Sequence, residues 1–188
     1  TTGEKLFVDA NQGFSLDLAS DQIGMLVDYG VDWFEEPFIA TANSSEWKKF
    51  KSTCPVPLAG GENLLSNRLL TEAFGWLDYI QPDIGKWGGV DGCFDIAKKA
   101  KTAGKVYCPH WLSGGIGLLH SAHVLSAADG KGLLEIDSNP NPLRTVITKQ
   151  LQGLEDSRFL LGTKPGIGID NPLESLTEYI TDHQSFSS

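Results

Sequence analysis

The chain has 188 residues, 40% of them hydrophobic, which is enough for one domain with a sizeable core. It carries 15 Lys and Arg against 24 Asp and Glu, a net charge of −9 with no basic run, which argues against nucleic acid and anionic membrane surfaces and favours a small metal or a polar metabolite. No apolar stretch approaches the roughly 18–20 residues of a membrane span and no signal peptide is visible, while Cys54, Cys93 and Cys108 form neither a metal pattern nor a disulfide framework and read as core residues of a cytoplasmic protein.

In chain order, residues 5–10 read as a first strand. Leu16, Leu18, Ile23, Leu26 and Val27 then recur at helical spacing over 15–29, and Gly30 stops that helix. Residues 31–34 form a second strand, followed by a short helix that starts near Ser44 and Ser45 and carries Trp47 and Phe50. Residues 55–61 form a third strand, after which Ser66 caps a helix carrying Leu69, Leu70, Ala73 and Phe74. Residues 77–82 form a fourth strand, and a helix over 90–103 opens at Gly88-Gly89 and closes at Gly104. Residues 105–109 form a fifth strand, a helix follows Gly114-Gly115 as far as Ala128, Asp129-Gly130 is a turn, and 132–136 form a sixth strand. Beyond Asp137 the run 138–142 excludes regular structure, 162–170 is rich in Gly and Pro, a last helix spans 172–181, and 183–188 fray. No linker divides the chain, so 1–188 is read as one α/β domain with an extension from about 138 that packs back on it.

Six acidic or basic side chains recur along this layout: Asp9, Glu35, Glu62, Asp83, His110 and Glu135, with gaps of 26, 27, 21, 27 and 25 residues. Each sits at or just beyond a strand, and about 25 residues is one strand–helix unit. The pattern predicts a (β/α) barrel of TIM type with one functional group at the C-terminal tip of each successive strand. A complete barrel has eight strands and typically ~250 residues. Six units would leave unpaired sheet edges, so residues preceding Thr1 are expected to complete it.

Three strand-end carboxylates, Asp9, Glu35 and Glu62, would repel one another unless a cation joins them, and all-oxygen ligands suit Mg²⁺. Glu35 and Glu36 are adjacent, so a strand points them to opposite sides, and parity alone does not choose which faces the barrel axis. Asp83 and His110 end adjacent strands. An Asp that accepts from one imidazole nitrogen leaves the other as a general acid or base. Glu135 ends the last strand, where a protonated or hydrogen-bonding carboxyl could meet developing negative charge; the rival reading is an ion pair with Lys86 or Arg144. Lys86 either balances the acidic cluster or caps a carbonyl. Trp87 and Trp111 read as core before pocket wall. His120 and His123, three apart on a helix, read as a solvated or packed face.

Five segments, taken in order, carry a family resemblance: Val8-Asp9-Ala10-Asn11, Phe34-Glu35-Glu36-Pro37, Gly61-Glu62-Asn63, Gln81-Pro82-Asp83 through Lys86-Trp87-Gly88-Gly89, and Pro109-His110. From about Lys5 to Leu173 the chain resembles the enolase superfamily, in the mandelate racemase branch of the mandelate racemase/muconate lactonizing group. The resemblance implies Mg²⁺-dependent abstraction of the proton α to a carboxylate, with Asp9, Glu35 and Glu62 as metal ligands. It further implies His110 oriented by Asp83 as an acid/base, Glu135 on the substrate carboxylate, and Asn11 touching either the substrate or a metal ligand; Lys86 is also expected to contact substrate. The stretch 135–142 is similar to acid-sugar dehydratases, which implies dehydration of an aldonate or aldarate to a 2-keto-3-deoxy acid. A racemase or epimerase of a 2-hydroxy acid is the alternative in the same branch, and a non-catalytic fragment that binds a metal or a partner chain is the alternative outside it. The family's Lys-x-Lys strand and capping domain belong before the first metal ligand. The resemblance therefore implies a missing N-terminal portion or partner chain, and a homo-oligomer is expected.

Overall fold

A computed structural model describes residues 3–129, 131–148, 157–169, 173–182 and 184. Five short parallel strands run in chain order across one sheet: β1 (Phe7–Asp9), β2 (Trp33–Glu35), β3 (Leu58–Gly60), β4 (Tyr79–Ile80) and β5 (Val106–Tyr107). Between them lie α1 (Leu16–Asp28), α2 (Ser44–Thr53), α3 (Asn67–Ala73) and α4 (Gly89–Thr102), and α5 (Gly115–Ala127) follows β5. This is the repeating strand–helix order of a barrel.

The helix starts follow local chemistry. Ser15 Oγ accepts from Leu18 N at 3.2 Å, and Ser66 Oγ accepts from Leu69 N at 3.2 Å, so each cap satisfies one orphan amide. At α2, Asn43 N donates to Glu46 Oε2 at 3.0 Å in a capping box.

Strand alternation divides the chain into two layers. Phe34, Leu58, Ile80 and Tyr107 face the helices and join one core with Leu26, Trp47, Phe50, Leu70, Ile96 and Ala100. Trp33, Ala59 and Cys108 face the other way and gather Tyr79 and Val106 around the barrel axis, with Phe7 stacked on Trp33 at 4.0 Å between ring centroids. The three cysteines are buried and free. Trp87 is part of the core and Trp111 packs against it, as the blander reading had them.

Three expectations are corrected. The sixth strand does not pair: residues 132–136 run beside β5 without a ladder. Pro109 offers no N–H on that edge, and Leu133 N donates to Cys108 Sγ at 3.3 Å instead of a carbonyl. Gly132 lies so close to β5 that a Cβ there would sit 1.7 Å from the Tyr107 carbonyl oxygen. Second, the run 138–142 ends in a helix start. Asn141 Oδ1 accepts from Arg144 N at 3.2 Å with proline at the first position, opening α6 (Pro142–Ile147). Third, residues 173–179 wind as a 3₁₀ rather than an α-helix, and the start of the expected last helix at Pro172 lies outside the described residues, as do most of 183–188. Ile147 and Leu176 bury against Leu118 and Leu119 of α5, so the described part of the C-terminal extension packs on the last barrel helix.

The tight crossing at Gly132 yields a prediction. Gly132→Ala should destabilise the fold by about 1–3 kcal/mol, the usual cost of forcing a methyl against fixed backbone. Denaturant unfolding measures it, and an unchanged midpoint would show that residues 132–136 yield freely.

Candidate active site

Register explains which side chains meet. Asp9 and Glu35 are Cα partners in the β1–β2 ladder, so their side chains leave the sheet on the same face. The β4–β5 register pairs Tyr79 with Val106, and the same offset brings Asp83 opposite His110, where the backbones bridge once more. Cross-strand partners share a face. Both dyad side chains are buried, and His110 Nδ1 lies 2.9 Å from Asp83 Oδ2. Asp83 Oδ1 accepts from Gly85 N at 2.7 Å and from Lys86 N at 3.2 Å, which fixes the carboxylate before it meets the ring.

The other imidazole nitrogen, Nε2, points at carboxylates: Glu62 Oε2 at 3.1 Å and Glu135 Oε2 at 4.0 Å. At 3.1 Å His110 Nε2 and Glu62 Oε2 are within hydrogen-bonding distance. Lys86 Nζ donates to the same Glu62 oxygen at 2.8 Å. Burial pulls the Lys86 ammonium down, but the Glu62 hydrogen bond and charge outweigh it and hold the pKa above its ordinary value.

Glu62 reaches this position through an unusual backbone. Gly60 and Gly61 have φ of 159° and 138°, and a Cβ on Gly61 would approach Gln81 N to 3.0 Å. Only glycine accepts both the dihedral and the contact. Asn11, Gln12 and Glu36 also have positive φ, at 42°, 60° and 35°. Such strain persists where surrounding structure imposes it, and here it clusters at the tips of β1 and β2.

Beside these tips opens a cavity of about 1140 Å³ whose lining includes Asp9, Glu35, Gln81, Pro109 and Glu135, together with Trp33, Leu125 and Arg158, but not Glu62, Asp83, Lys86 or His110. Glu35 therefore faces the axis and Glu36 does not. Glu36 is buried beside β3 and accepts from Asn63 Nδ2 at 2.8 Å. Burial pushes the Glu35 carboxyl up to about 8, with the charges of Asp9 and Glu135 adding to it and a Gln81 hydrogen bond opposing it. Burial likewise pushes Glu36 up to about 7 and raises Asp9 and Glu135. Glu135 pairs with neither Lys86 nor Arg144: its Oε2 accepts from Trp111 N at 3.0 Å, while Arg144 holds Asp137 at 3.1 Å. Asn11 N donates to Asp9 Oδ1 at 2.7 Å and so orients that carboxylate.

Among the described residues, the three groups whose ligand atoms lie within 4.8 Å of one another are Glu62, Asp83 and His110 rather than Asp9, Glu35 and Glu62. Glu62 is held instead by Lys86 and His110. The donor set nonetheless suits a hard cation. Asp9 and Glu35 converge, each raised by burial, and Gln81 Oε1 is buried at the same cavity with no hydrogen-bond partner. Gln81 was missed as a site residue. The signal was alternation, because Tyr79 faces the axis and residue 81 must follow it.

The family described as "Enolase C-terminal domain-like" matches residues 1–174. The chain belongs to that family. It falls within the mandelate racemase/muconate lactonizing enzyme group. A mandelate racemase/muconate lactonizing enzyme from Bordetella bronchiseptica RB50 superposes with a TM-score of 0.89 at 40% identity, over 95% of this chain and 51% of that one. An L-talarate/galactarate dehydratase variant solved with Mg and L-glucarate superposes with a TM-score of 0.75 at 26% identity, over 87% of this chain and 40% of that one. Among curated relatives, the D-galactarolactone cycloisomerase of Agrobacterium fabrum is 25% identical over 93% of this chain and 49% of its own length. The arabinonate dehydratase of Saccharolobus solfataricus is 28% identical over 87% of this chain and 44% of its own. The chain spans about half the length of the curated relatives it matches. Among the described residues, no helix of this enolase-family chain is long and apolar enough to cross a membrane.

The raised carboxyls have a pH consequence. Glu35 and Glu36 keep their protons in the fold between the ordinary 4.5 and about 8 or 7, where the unfolded chain has released them. Their contribution to stability is therefore present at low pH and lost as pH rises through that window. With chelator present, the Tm should fall from about pH 5 to about pH 8. Glu35→Gln should flatten the decline and raise the Tm by several degrees at the alkaline end. An identical pH profile in the variant would show that Glu35 ionises freely.

Proposed function

We propose that this chain forms the catalytic barrel portion of a Mg²⁺-dependent cytoplasmic enzyme that removes the proton α to a carboxylate and dehydrates an acid sugar, an aldonate or aldarate, to a 2-keto-3-deoxy acid. The observation that carries this reading is the buried His110–Asp83 dyad, with Nδ1 to Oδ2 at 2.9 Å and Nε2 at 3.1 Å from Glu62 Oε2. Dehydratases among the relatives and the Mg- and sugar-acid-bound neighbour support it.

On this reading Asp9, Glu35 and Glu62 hold the cation, which when bound supplies fixed positive charge beside the substrate carboxylate and acidifies the adjacent C–H. Asp83 keeps a proton on Nδ1 and orients the ring. His110 holds its second proton at Nε2 and delivers it to the β-hydroxyl. As the C–O bond breaks and water leaves, the electron pair released at the α-carbon closes the Cα–Cβ double bond. The resulting enol tautomerises to the keto acid. Glu135, whose carboxyl is raised by burial, donates to the substrate carboxylate in its protonated form. Lys86 and Asn11 contact the substrate, and a base on the face opposite His110 takes the α-proton. The native assembly is a homo-oligomer.

The test is product analysis on the whole native protein with Mg²⁺ and a panel of aldonates and aldarates. Keto acid should form, and His110→Asn should lower kcat by about 10²–10⁴-fold, the usual worth of one positioned acid or base. Undiminished keto acid from His110→Asn would remove His110 from the mechanism. An epimer in place of keto acid would assign the chain to the racemases, and lactone opening would align it with the cycloisomerase relative.

A further inference from the structure

Asn63 is unused by the chemistry above, yet it touches two of the carboxylates at the site. Its Nδ2 donates to Glu36 Oε2 at 2.8 Å and to Glu62 Oε1 at 3.2 Å. An amide nitrogen has two hydrogens, so one is committed to each carboxylate. The anchor at the far end is firm. Glu36 is 2% exposed. Its N–H donates to Ala59 O at 3.2 Å, and its carbonyl accepts from Gln12 N at 2.7 Å. Those bonds hold a non-glycine residue at φ 35°. At the near end, Glu62 Oε2 is already occupied by Lys86 Nζ at 2.8 Å and faces His110 Nε2 at 3.1 Å. The two oxygens of Glu62 are thus gripped from opposite sides, Oε1 by Asn63 and Oε2 by Lys86. A carboxylate held on one side alone turns about its last torsion, which is broad and roughly two-fold.

We propose that Glu36 and Asn63 form a positioning relay that fixes the plane of the Glu62 carboxylate and thereby sets the affinity of the site for a divalent cation. Glu36, Asn63 and Glu62 all lie outside the lining of the large cavity, and the bond from Asn63 Nδ2 to Glu62 Oε1 is the path by which Glu36 and Asn63 act. The proposal rests on the reading of Glu62 as a cation ligand. The competing role is mechanical, with the Glu36–Asn63 bond merely tying the tip of β2 to the segment after β3. A mechanical tie would change stability and leave the affinity of the folded protein alone.

The experiment is calorimetric titration of the native protein with Mg²⁺, well below its Tm, with the Tm of each variant recorded alongside. Asn63→Ala and Glu36→Ala should each weaken Mg²⁺ binding by about 10–100-fold, the usual effect of losing the partner that orients a ligand. Glu36→Gln keeps an acceptor for Asn63 and should stay within about twofold of the parent. If Asn63→Ala does not fold, Asn63→Ser replaces it, because its hydroxyl is too short to bridge both carboxylates. A lowered Tm with unchanged Mg²⁺ affinity in Asn63→Ala or Asn63→Ser overturns the relay, as does a Glu36→Gln variant as weak as Glu36→Ala. Glu62→Gln separates the two levels. If it leaves affinity unchanged, Glu62 is not a ligand and the underlying reading fails with the relay. If it abolishes binding while the Asn63 variants bind normally, the relay alone fails.

Discussion

Crowded negative charge is the constraint that organises this site. Burial raises the proton affinity of Asp9, Glu35, Glu36 and Glu135 at the strand tips, and neighbouring carboxylate charges, Glu62 among them, add to the effect. Partly desolvated like charges repel far more strongly than they would in water. The fold answers each one separately. Asn11 N meets Asp9, Gln81 meets Glu35, Asn63 joins Glu36 to Glu62, Lys86 and His110 take the other Glu62 oxygen, and Trp111 N meets Glu135. The strained dihedrals at Asn11, Gln12 and Glu36 lie along the same rim, where backbone as well as side chains is bent to serve carboxylates.

Much of this was legible in the spacing. The 26-residue gap from Asp9 to Glu35 is the register offset of β1 and β2, and the 27-residue gap from Asp83 to His110 is the register offset of β4 and β5. Where gap equals offset, side chains must share a level and a face, so the dyad and the first carboxylate pair followed from arithmetic. The 27-residue gap from Glu35 to Glu62 differs, because β2 and β3 pair at an offset of 24, Glu35 with Ala59. Glu62 therefore projects three residues above that level, and Gly60 and Gly61 turn it back toward His110. Uniform spacing concealed that excursion. It is why Glu62 joins His110 and Asp83 more closely than it joins Asp9 and Glu35.

Other features were hidden for different reasons. The pattern of 132–136 is that of a strand, but pairing depends on what the neighbour offers, and Pro109 with a thiol acceptor at Cys108 offers no regular ladder. Helix α6 was overlooked because Asn-Pro reads as a breaker, although the same dipeptide places a cap and a first-turn proline in order. The choice between Glu35 and Glu36 was undecidable by parity while the strand boundary was unknown. Once Trp33 is seen facing the axis, Glu35 must face it too and Glu36 must turn away.

The same charge arithmetic governs how an acid could enter. An anion approaching this cavity would meet Asp9, Glu35 and Glu135 on its lining, in a chain of net charge −9. Arg158 lies on that lining, while Lys86 and His110 stand outside it and are both engaged with Glu62. Lys86 and His110 therefore offer an anion no unpaired positive charge unless Glu62 takes another partner. Oxygen-rich sites of this kind favour a hard divalent ion. An ion accepted by Asp9, Glu35 and Glu62 would neutralise the lining and free Lys86 and His110 together. Glu62 is the group on which both requirements turn, since its two oxygens stand between the carboxylates that need a cation and the acid that needs to reach substrate.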